Sequence, residues 1–201
     1  MTKGKTFIIA GPSGVGKGTI ISRLFTLQKN LYFSVSATTR APRPGEVDGI
    51  HYHFITRERF QEWINRGAFL EYAEYAGNFY GTPKQYVDEA MDQGKDVILD
   101  IEVQGAEQVH RQRPETVRIF IAPPSWEELE RRLVNRGTEE PEKVRERLDR
   151  SRAEFLLARY YDYFVINQDL ETAVEEIRMI MAAEHCRARE RYDSLGANFF
   201  H

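Results

Sequence analysis

Residues 7–19 read Phe-Ile-Ile-Ala-Gly-Pro-Ser-Gly-Val-Gly-Lys-Gly-Thr, and this stretch decides the fold. Phe7–Ala10 is a short apolar run of the kind that makes a buried strand, and Gly11 to Gly16 break it. An apolar-periodic helix follows through Ile20, Ile21, Leu24 and Leu27. A glycine-rich turn ending in Gly16-Lys17, with a strand before it and a helix after it, is the setting a phosphate-binding P-loop requires. Glycines let consecutive backbone N–H groups curl around phosphate oxygens with no Cβ in the way. The helix N-terminus adds its dipole, and the lysine reaches the β and γ phosphates. The donor-nucleotide loop is therefore Gly11, Pro12, Ser13, Gly14, Val15, Gly16, Lys17, Gly18 and Thr19.

One position departs from the usual pattern. That pattern ends Gly-Lys-Ser/Thr, and its hydroxyl meets Mg²⁺; here Gly18 holds the place and Thr19 comes one later. Either Thr19 substitutes, or the metal sits on water and the nucleotide phosphates, since Mg²⁺ commonly keeps several waters. Asp100, at the end of a buried strand, is the natural carboxylate nearby; the alternative is a helix-capping aspartate.

Outward from the loop, Tyr32–Ala37 is strand-like, and Pro42, Pro44, Gly45 and Gly49 mark turns before an alternating segment, Ile50–Ile55. Thr56 caps a helix through Phe60, Trp63 and Ile64 that stops at Gly67, and Phe69–Tyr75 is a strand ending at Gly77-Asn78. Pro83 opens a helix that Gly94 closes, and Val97–Ile101 is the clearest buried strand. A short helix near Val103–Arg111, a strand Val117–Ala122, and a helix from the Pro123-Pro124-Ser125 cap to Arg136-Gly137 come next. Pro141 opens a charged helix with Val144, Leu148, Phe155 and Ala158 on one stripe. Phe164–Ile166 is the last strand, and an amphipathic helix spans about Leu170 to Tyr192, beyond which the chain is expected to fray. Apolar strands alternating with helices imply an α/β fold whose parallel sheet is covered on both faces. The segment from about 35 to 84 breaks this rhythm and reads as an inserted lobe.

Composition narrows the function. The chain has 201 residues, 41% hydrophobic and 29% charged, which is globular. A net charge of -3 disfavours generic nucleic-acid binding. One cysteine excludes a disulfide framework or a Cys-rich zinc cage. No apolar run is long enough to span a membrane, and the first residues lead into a strand without a signal-peptide pattern, so the expected compartment is the reducing cytoplasm. No obligate protein partner is evident. There are seven lysines and 21 arginines, and arginine grips phosphate bidentately where lysine is a point charge.

The remaining motifs resemble those of the guanylate kinase family. They are Phe33-Ser-Val-Ser-Ala-Thr-Thr-Arg40-Ala-Pro-Arg43-Pro-Gly-Glu46-Val-Asp-Gly49, Phe69-Leu-Glu71-Tyr, Gly77-Asn-Phe-Tyr80-Gly-Thr82, Ile98-Leu-Asp100-Ile, Ile121-Ala-Pro-Pro-Ser125 and Asn135-Arg-Gly-Thr138. They occur in the family's order, and the resemblance covers about residues 4–185. It implies a P-loop kinase core over 1–34, 84–125 and 159–201, a GMP-binding lobe over 35–83, and a helical lid over 126–158 that closes on ATP. The implied reaction is transfer of the γ-phosphoryl of ATP to GMP, with dGMP accepted and Mg²⁺ required.

By resemblance, Ser36, Arg40, Arg43, Glu46, Tyr52, Glu71, Tyr80 and Thr82 form the GMP site, with Asp100 and Glu102 beside it. Chemistry agrees at several of these positions. Arg40 and Arg43 can converge on one acceptor phosphate, and Tyr52 and Tyr80 can add phenolic donors. A buried Glu71 carboxylate would accept guanine N1–H and N2–H₂ together, whereas adenine has no N1–H and would leave the charge unpaired. Ser36 and Thr82 can donate to guanine O6. Glu102 stands where some relatives have Asp. In the lid, Arg132, Arg136 and Arg147 match family arginines, whose chemistry suits the charge gathered in phosphoryl transfer. Asn167 resembles the family residue near the adenine, and the next residue is Gln168 where relatives often have Asp. The implied catalytic set is Lys17, Arg40, Arg43, Arg136 and Arg147.

Other readings fit fewer of these residues. A kinase for another acceptor would share the P-loop but lack Ser36, Glu71 and Thr82. A scaffold-type module on the same fold would have a degraded P-loop, and Gly11, Gly16 and Lys17 are all present. His51 and His53 share a strand face but have no evident third metal ligand. Arg145, Arg150 and Arg152 read as a solvated helix face. Cys186 reads as packing or surface, and Trp63 and Trp126 read as helix packing rather than base-stacking platforms.

Overall fold

In the computed structural model of the chain, residues 3–135, 141–188 and 192 are described. The elements run β1 (Thr6–Ala10), α1 (Lys17–Leu27), β2 (Leu31–Phe33), β3 (Ala37–Thr38), β4 (His53–Phe54), α2 (Arg57–Asn65), β5 (Phe69–Tyr75), β6 (Asn78–Pro83), α3 (Lys84–Asp92), β7 (Asp96–Asp100), α4 (Val103–Gln112), β8 (Val117–Ala122), α5 (Trp126–Val134), α6 (Pro141–Leu157), β9 (Tyr163–Ile166) and α7 (Leu170–Glu184). They fall into two units. One holds Lys3–Ile8 and Asn30–Val117; the other holds Ile9–Lys29 and the described residues from Arg118 onward.

In the first unit, β2, β7 and β1 stand in that order in a parallel sheet, with Leu31 opposite Asp96 and Phe33 opposite Ile98. Phe7, Ile8, Val97, Ile98 and Leu99 are fully buried, as strands covered on both faces must be. A second sheet, in the order β4-β3-β6-β5, forms the other part of this unit. Its β5–β6 hairpin turns through Ala76 (φ 47) and Gly77 (φ 76). Two positive φ values suit a two-residue turn whose twist matches the flanking strands. Phe60 stacks on Phe69 at 4.4 Å and on Phe79 at 5.3 Å, which fixes α2 under this sheet.

Two expectations are corrected here, and one strand is added. Tyr32–Ala37 is not one strand, because the backbone changes partner within it: Ser34 N–H donates to Ile98, and the Ser36 carbonyl accepts from His53. The alternating segment Ile50–Ile55 forms a strand only at His53–Phe54. Residues 78–83, given no strand of their own by the sequence pattern, form β6. A Cβ on Gly81 would lie 2.9 Å from the Glu71 carbonyl oxygen, so glycine is there for close strand approach.

In the second unit, the end of β1, β8 and β9 stand in that order as parallel strands, with Ile119 opposite Tyr163 and Ala122 opposite Ile166. Ser125 accepts from the Glu128 N–H at 3.2 Å and caps α5; Asp169 accepts from the Thr172 N–H at 2.9 Å and caps α7. Both helices end earlier than periodicity suggests, α5 at Val134 and α7 at Glu184. The Trp126 ring meets Phe155 edge-on, 6.4 Å away, so this tryptophan packs α5 against α6.

Candidate active site

The loop after β1 is built by contacts within the second unit. Gly11 has φ 146, and a Cβ there would lie 2.3 Å from the Ile121 carbonyl oxygen. Gly16 has φ 100, and a Cβ there would lie 2.6 Å from Asn167 Nδ2. No other residue type fits either place. Lys17 Nζ donates back to the Gly11 carbonyl at 2.6 Å, spanning the loop it closes. Asn167 Nδ2 donates to the Val15 carbonyl at 2.7 Å, and Arg132 donates to the same oxygen at 3.2 Å. Arg132 also donates to the Asn167 carbonyl at 3.0 Å and to Glu128 at 2.7 Å. Hydrogen bonds from Arg131 and Arg132 hold the Glu128 carboxyl down at about 2. Arg147 donates to Ser13 Oγ at 3.1 Å. Gly18 and Thr19 are exposed. Arg136 lies outside the described residues.

Glu128 was missed in the sequence. Its signal is the Glu128–Arg132 spacing, which puts an acid one turn before a base on the same helix face.

The second cluster lies within the first unit. Glu46 bridges the two acceptor-loop arginines: Arg40 donates to Oε1 at 2.7 Å, and the Arg43 backbone N–H donates to Oε2 at 2.7 Å. These bonds, the Arg40 one foremost, hold the Glu46 carboxyl down at about 2. The Arg40 guanidinium lies 5.4 Å over the Tyr52 ring, and Tyr52 meets Tyr80 edge-on at 6.0 Å. Arg40, Glu46, Tyr52 and Tyr80 thus converge. Arg43 is exposed and Ser36 half-buried.

Glu71 is 8% exposed, on β5, and accepts from Thr82 Oγ1 on β6 at 2.6 Å. Burial pushes its carboxyl above the usual range; the Thr82 hydrogen bonds oppose this and the Glu102 charge adds to it. Asp100 and Glu102 are exposed, and Glu102 stands at the N-cap of α4. His53 stacks on Tyr86 at 4.4 Å, and His51 Nδ1 accepts from the Val47 N–H at 3.0 Å. Among the described residues, no three or more His, Cys, Asp or Glu side chains are grouped to hold a metal. Arg150 pairs with Glu154 and Arg152 with Asp149 along α6.

The family model for guanylate kinase matches residues 3–184. The chain belongs to the guanylate kinase family. A guanylate kinase of Halalkalibacterium halodurans is 52% identical over 189 residues, 94% of this chain and 92% of that one. One from Lactococcus lactis is 50% identical over 193 residues, 94% of each chain. The crystal structure of guanylate kinase from Anaplasma phagocytophilum shares the fold with a TM-score of 0.73 and 34% identity, covering 96% of this chain and 95% of that one. Guanylate kinases are nucleoside-monophosphate kinases that phosphorylate GMP with ATP, and the chain is an enzyme of that class. Among the described residues, no helix is long and apolar enough to cross a membrane.

Proposed function

We propose that the chain transfers the γ-phosphoryl of ATP to GMP, and to dGMP, through two clusters with separate duties, in purine nucleotide metabolism and GMP recycling. One observation carries the choice of acceptor: a buried carboxylate, Glu71, whose Oε1 is held by Thr82. An ionised carboxylate in so dry a place is costly until donors meet it. Guanine brings two adjacent donors, and adenine brings none that match.

The division of labour follows from residue chemistry. Arg40 and Arg43 bind the acceptor phosphate, with Glu46 bracing both and Tyr52 and Tyr80 flanking it. The loop from Gly11 to Thr19 wraps the donor phosphates, and Lys17 stabilises charge on the transferring group. Arg147 and Arg136 clamp the same charge, while Arg132 and Asn167 hold the loop. Ser36 contributes to the base pocket, with Asp100 and Glu102 at its edge. Residues 35–83 act as the acceptor lobe and 126–158 as the lid. Positioning and electrostatics supply most of the catalysis in this chemistry, so no general base is invoked.

Mg²⁺ fits this chain as an ion held by nucleotide phosphates and water. Gly18 offers no side chain, and Thr19, the next residue, is exposed. When bound with ATP it would neutralise charge on the donor phosphates. A single cysteine suits a reducing compartment, and we assign the enzyme to the cytoplasm.

The test is a coupled ADP-release assay with GMP, AMP, CMP and UMP in parallel. Turnover with GMP alone is expected. Comparable turnover with AMP would overturn the assignment of Glu71.

A further inference from the structure

β5 is the edge strand of its sheet, and Glu71 sits at an irregularity in it. The ladder to β6 steps from Phe69 opposite Pro83 to Glu71 opposite Thr82, so Leu70 is the extra residue of a bulge. Bulges re-aim the side chains beside them, and here the neighbour is the buried carboxylate. An edge strand with a bulge has little of its own to fix that aim.

Helix α4 supplies what the strand lacks. Tyr72 N–H donates to Gln108 Oε1 at 3.2 Å, and Gln108 Nε2 donates to the Tyr72 carbonyl at 3.1 Å. The glutamine amide closes a two-bond ring on one residue's backbone, as a next strand would. Gln112 Nε2 donates to the Leu70 carbonyl at 2.7 Å. A Cβ added to Gly105 would lie 3.0 Å from Glu71 Oε2 and 3.3 Å from its Cδ. Gly105, Gln108 and Gln112 follow the i, i+3, i+7 spacing of one helix stripe. That stripe bonds the residue before Glu71, bonds the residue after it, and passes bare backbone over the carboxylate itself.

Tyr72 is exposed, so water could satisfy its backbone groups. What water cannot do is hold the strand's angle. Two parallel hydrogen bonds to a planar base need the carboxylate held to about half an ångström and 10–20°. We propose that Gln108, with Gln112 as its second anchor, is a positioning residue for base recognition: it fixes the bulged strand so that Glu71 meets guanine with both oxygens. The proposal rests on the reading of Glu71 given above.

The experiment compares Gln108→Ala, Glu71→Gln and the double variant, each checked for folding by circular dichroism and melting. The readouts are kcat and KM for GMP, for ATP, and for IMP, whose base keeps N1–H but lacks the 2-amino group. In Gln108→Ala, kcat/KM for GMP should fall about tenfold, mainly through KM, the factor that about 1.4 kcal/mol produces. KM for ATP should stay within about twofold, and the preference for GMP over IMP should shrink, because one bond to Glu71 is lost from geometry. In the Glu71→Gln background, Gln108→Ala should leave that preference unchanged. A folded Gln108→Ala protein with the parental GMP-to-IMP ratio overturns the positioning role while Glu71→Gln still loses GMP. If Glu71→Gln also keeps GMP use, the base-reading assignment fails instead. Should Gln108→Ala not fold, Gln112→Ala carries the same test. Failure of both to fold would show the bonds to be structural and overturn the proposal.

Discussion

Asn167 Nδ2 donates to the carbonyl of Val15 at 2.7 Å, tying the end of β9 to the middle of the phosphate loop. A peptide unit is planar and trans, so fixing the Val15 oxygen fixes the Gly16 N–H on the opposite side. Arg132 doubles the hold with its own bond to that oxygen. The loop's donors are therefore set before any nucleotide arrives, which lowers the ordering cost of binding. Asn167→Ala should raise KM for ATP about 3- to 10-fold and lower stability by about 1 kcal/mol, one buried hydrogen bond's worth. KM for GMP should move less than twofold. Steady-state kinetics with each substrate varied in turn check this, and an unchanged KM for ATP would show the loop to be self-supporting.

Lys17 reaches Gly11 across the loop at 2.6 Å. In the reaction its charge serves the transferring phosphoryl group. Lys17→Ala should lower kcat by about 10² or more, since a charge-stabilising donor is worth roughly 3 kcal/mol in the transition state. Circular dichroism should match the parent. Near-normal turnover in the folded variant would remove Lys17 from the mechanism.

Thr19 is exposed, and Gly18 beside it has no side chain for a metal. If Mg²⁺ is held by phosphates and water, Thr19→Val should cost less than about tenfold in kcat, or 1.4 kcal/mol. A titration of activity with Mg²⁺ reads the same question. A loss above a hundredfold, with Mg²⁺ affinity falling in parallel, would make Thr19 a direct ligand.

The core strands and the phosphate loop were legible because each is local. Phe7–Ala10 is an unbroken apolar run, and Gly16 must be glycine for its own φ of 100. The caps at Thr56, Ser125 and Asp169 were equally local, though only the first two were read. The small sheet was harder. Residues 78–83, with Gly81 and Pro83 among them, show no strand pattern of their own, and β6 forms only because β5 lies alongside after folding. Glu46 is a similar case: sequence put it with the acceptor residues, but its bridge between Arg40 and the Arg43 backbone needs the turn at Gly45 to exist first. Gln108 and Gln112 carried no sequence signal beyond a polar helix face.

Glu71→Gln keeps the size of the side chain and an oxygen for Thr82. It replaces one acceptor with an NH₂ donor, which would face a guanine donor. The loss in kcat/KM for GMP should be on the order of 10² to 10⁴. Use of AMP should rise relative to GMP, because the charge that excluded adenine is gone, and KM for ATP should change little. GMP use within threefold of the parent would transfer base recognition to Ser36, Thr82 or the backbone.

The same carboxylate gives a pH signature of opposite sign to an ordinary surface acid. Burial raises the Glu71 carboxyl above its unfolded value, against the pull of Thr82. Between those two values the folded chain keeps a proton the unfolded chain has released. The contribution of Glu71 to stability is therefore full below about pH 4, the ordinary glutamate range, and is lost as pH rises through the raised value. Glu46 and Glu128, both held at about 2, titrate below this window and leave it clear. Glu71→Gln cannot titrate, so its stability relative to the parent should increase with pH above about 4 and then level off. Urea unfolding of both proteins from acid to neutral pH measures that difference. GMP requires the ionised form, so in the parent kcat/KM for GMP should fall at a higher pH than an ordinary glutamate would give, and the glutamine variant should lack that fall. A stability difference that stays flat with pH would mean that Glu71 titrates as an exposed carboxylate and that its site is wet.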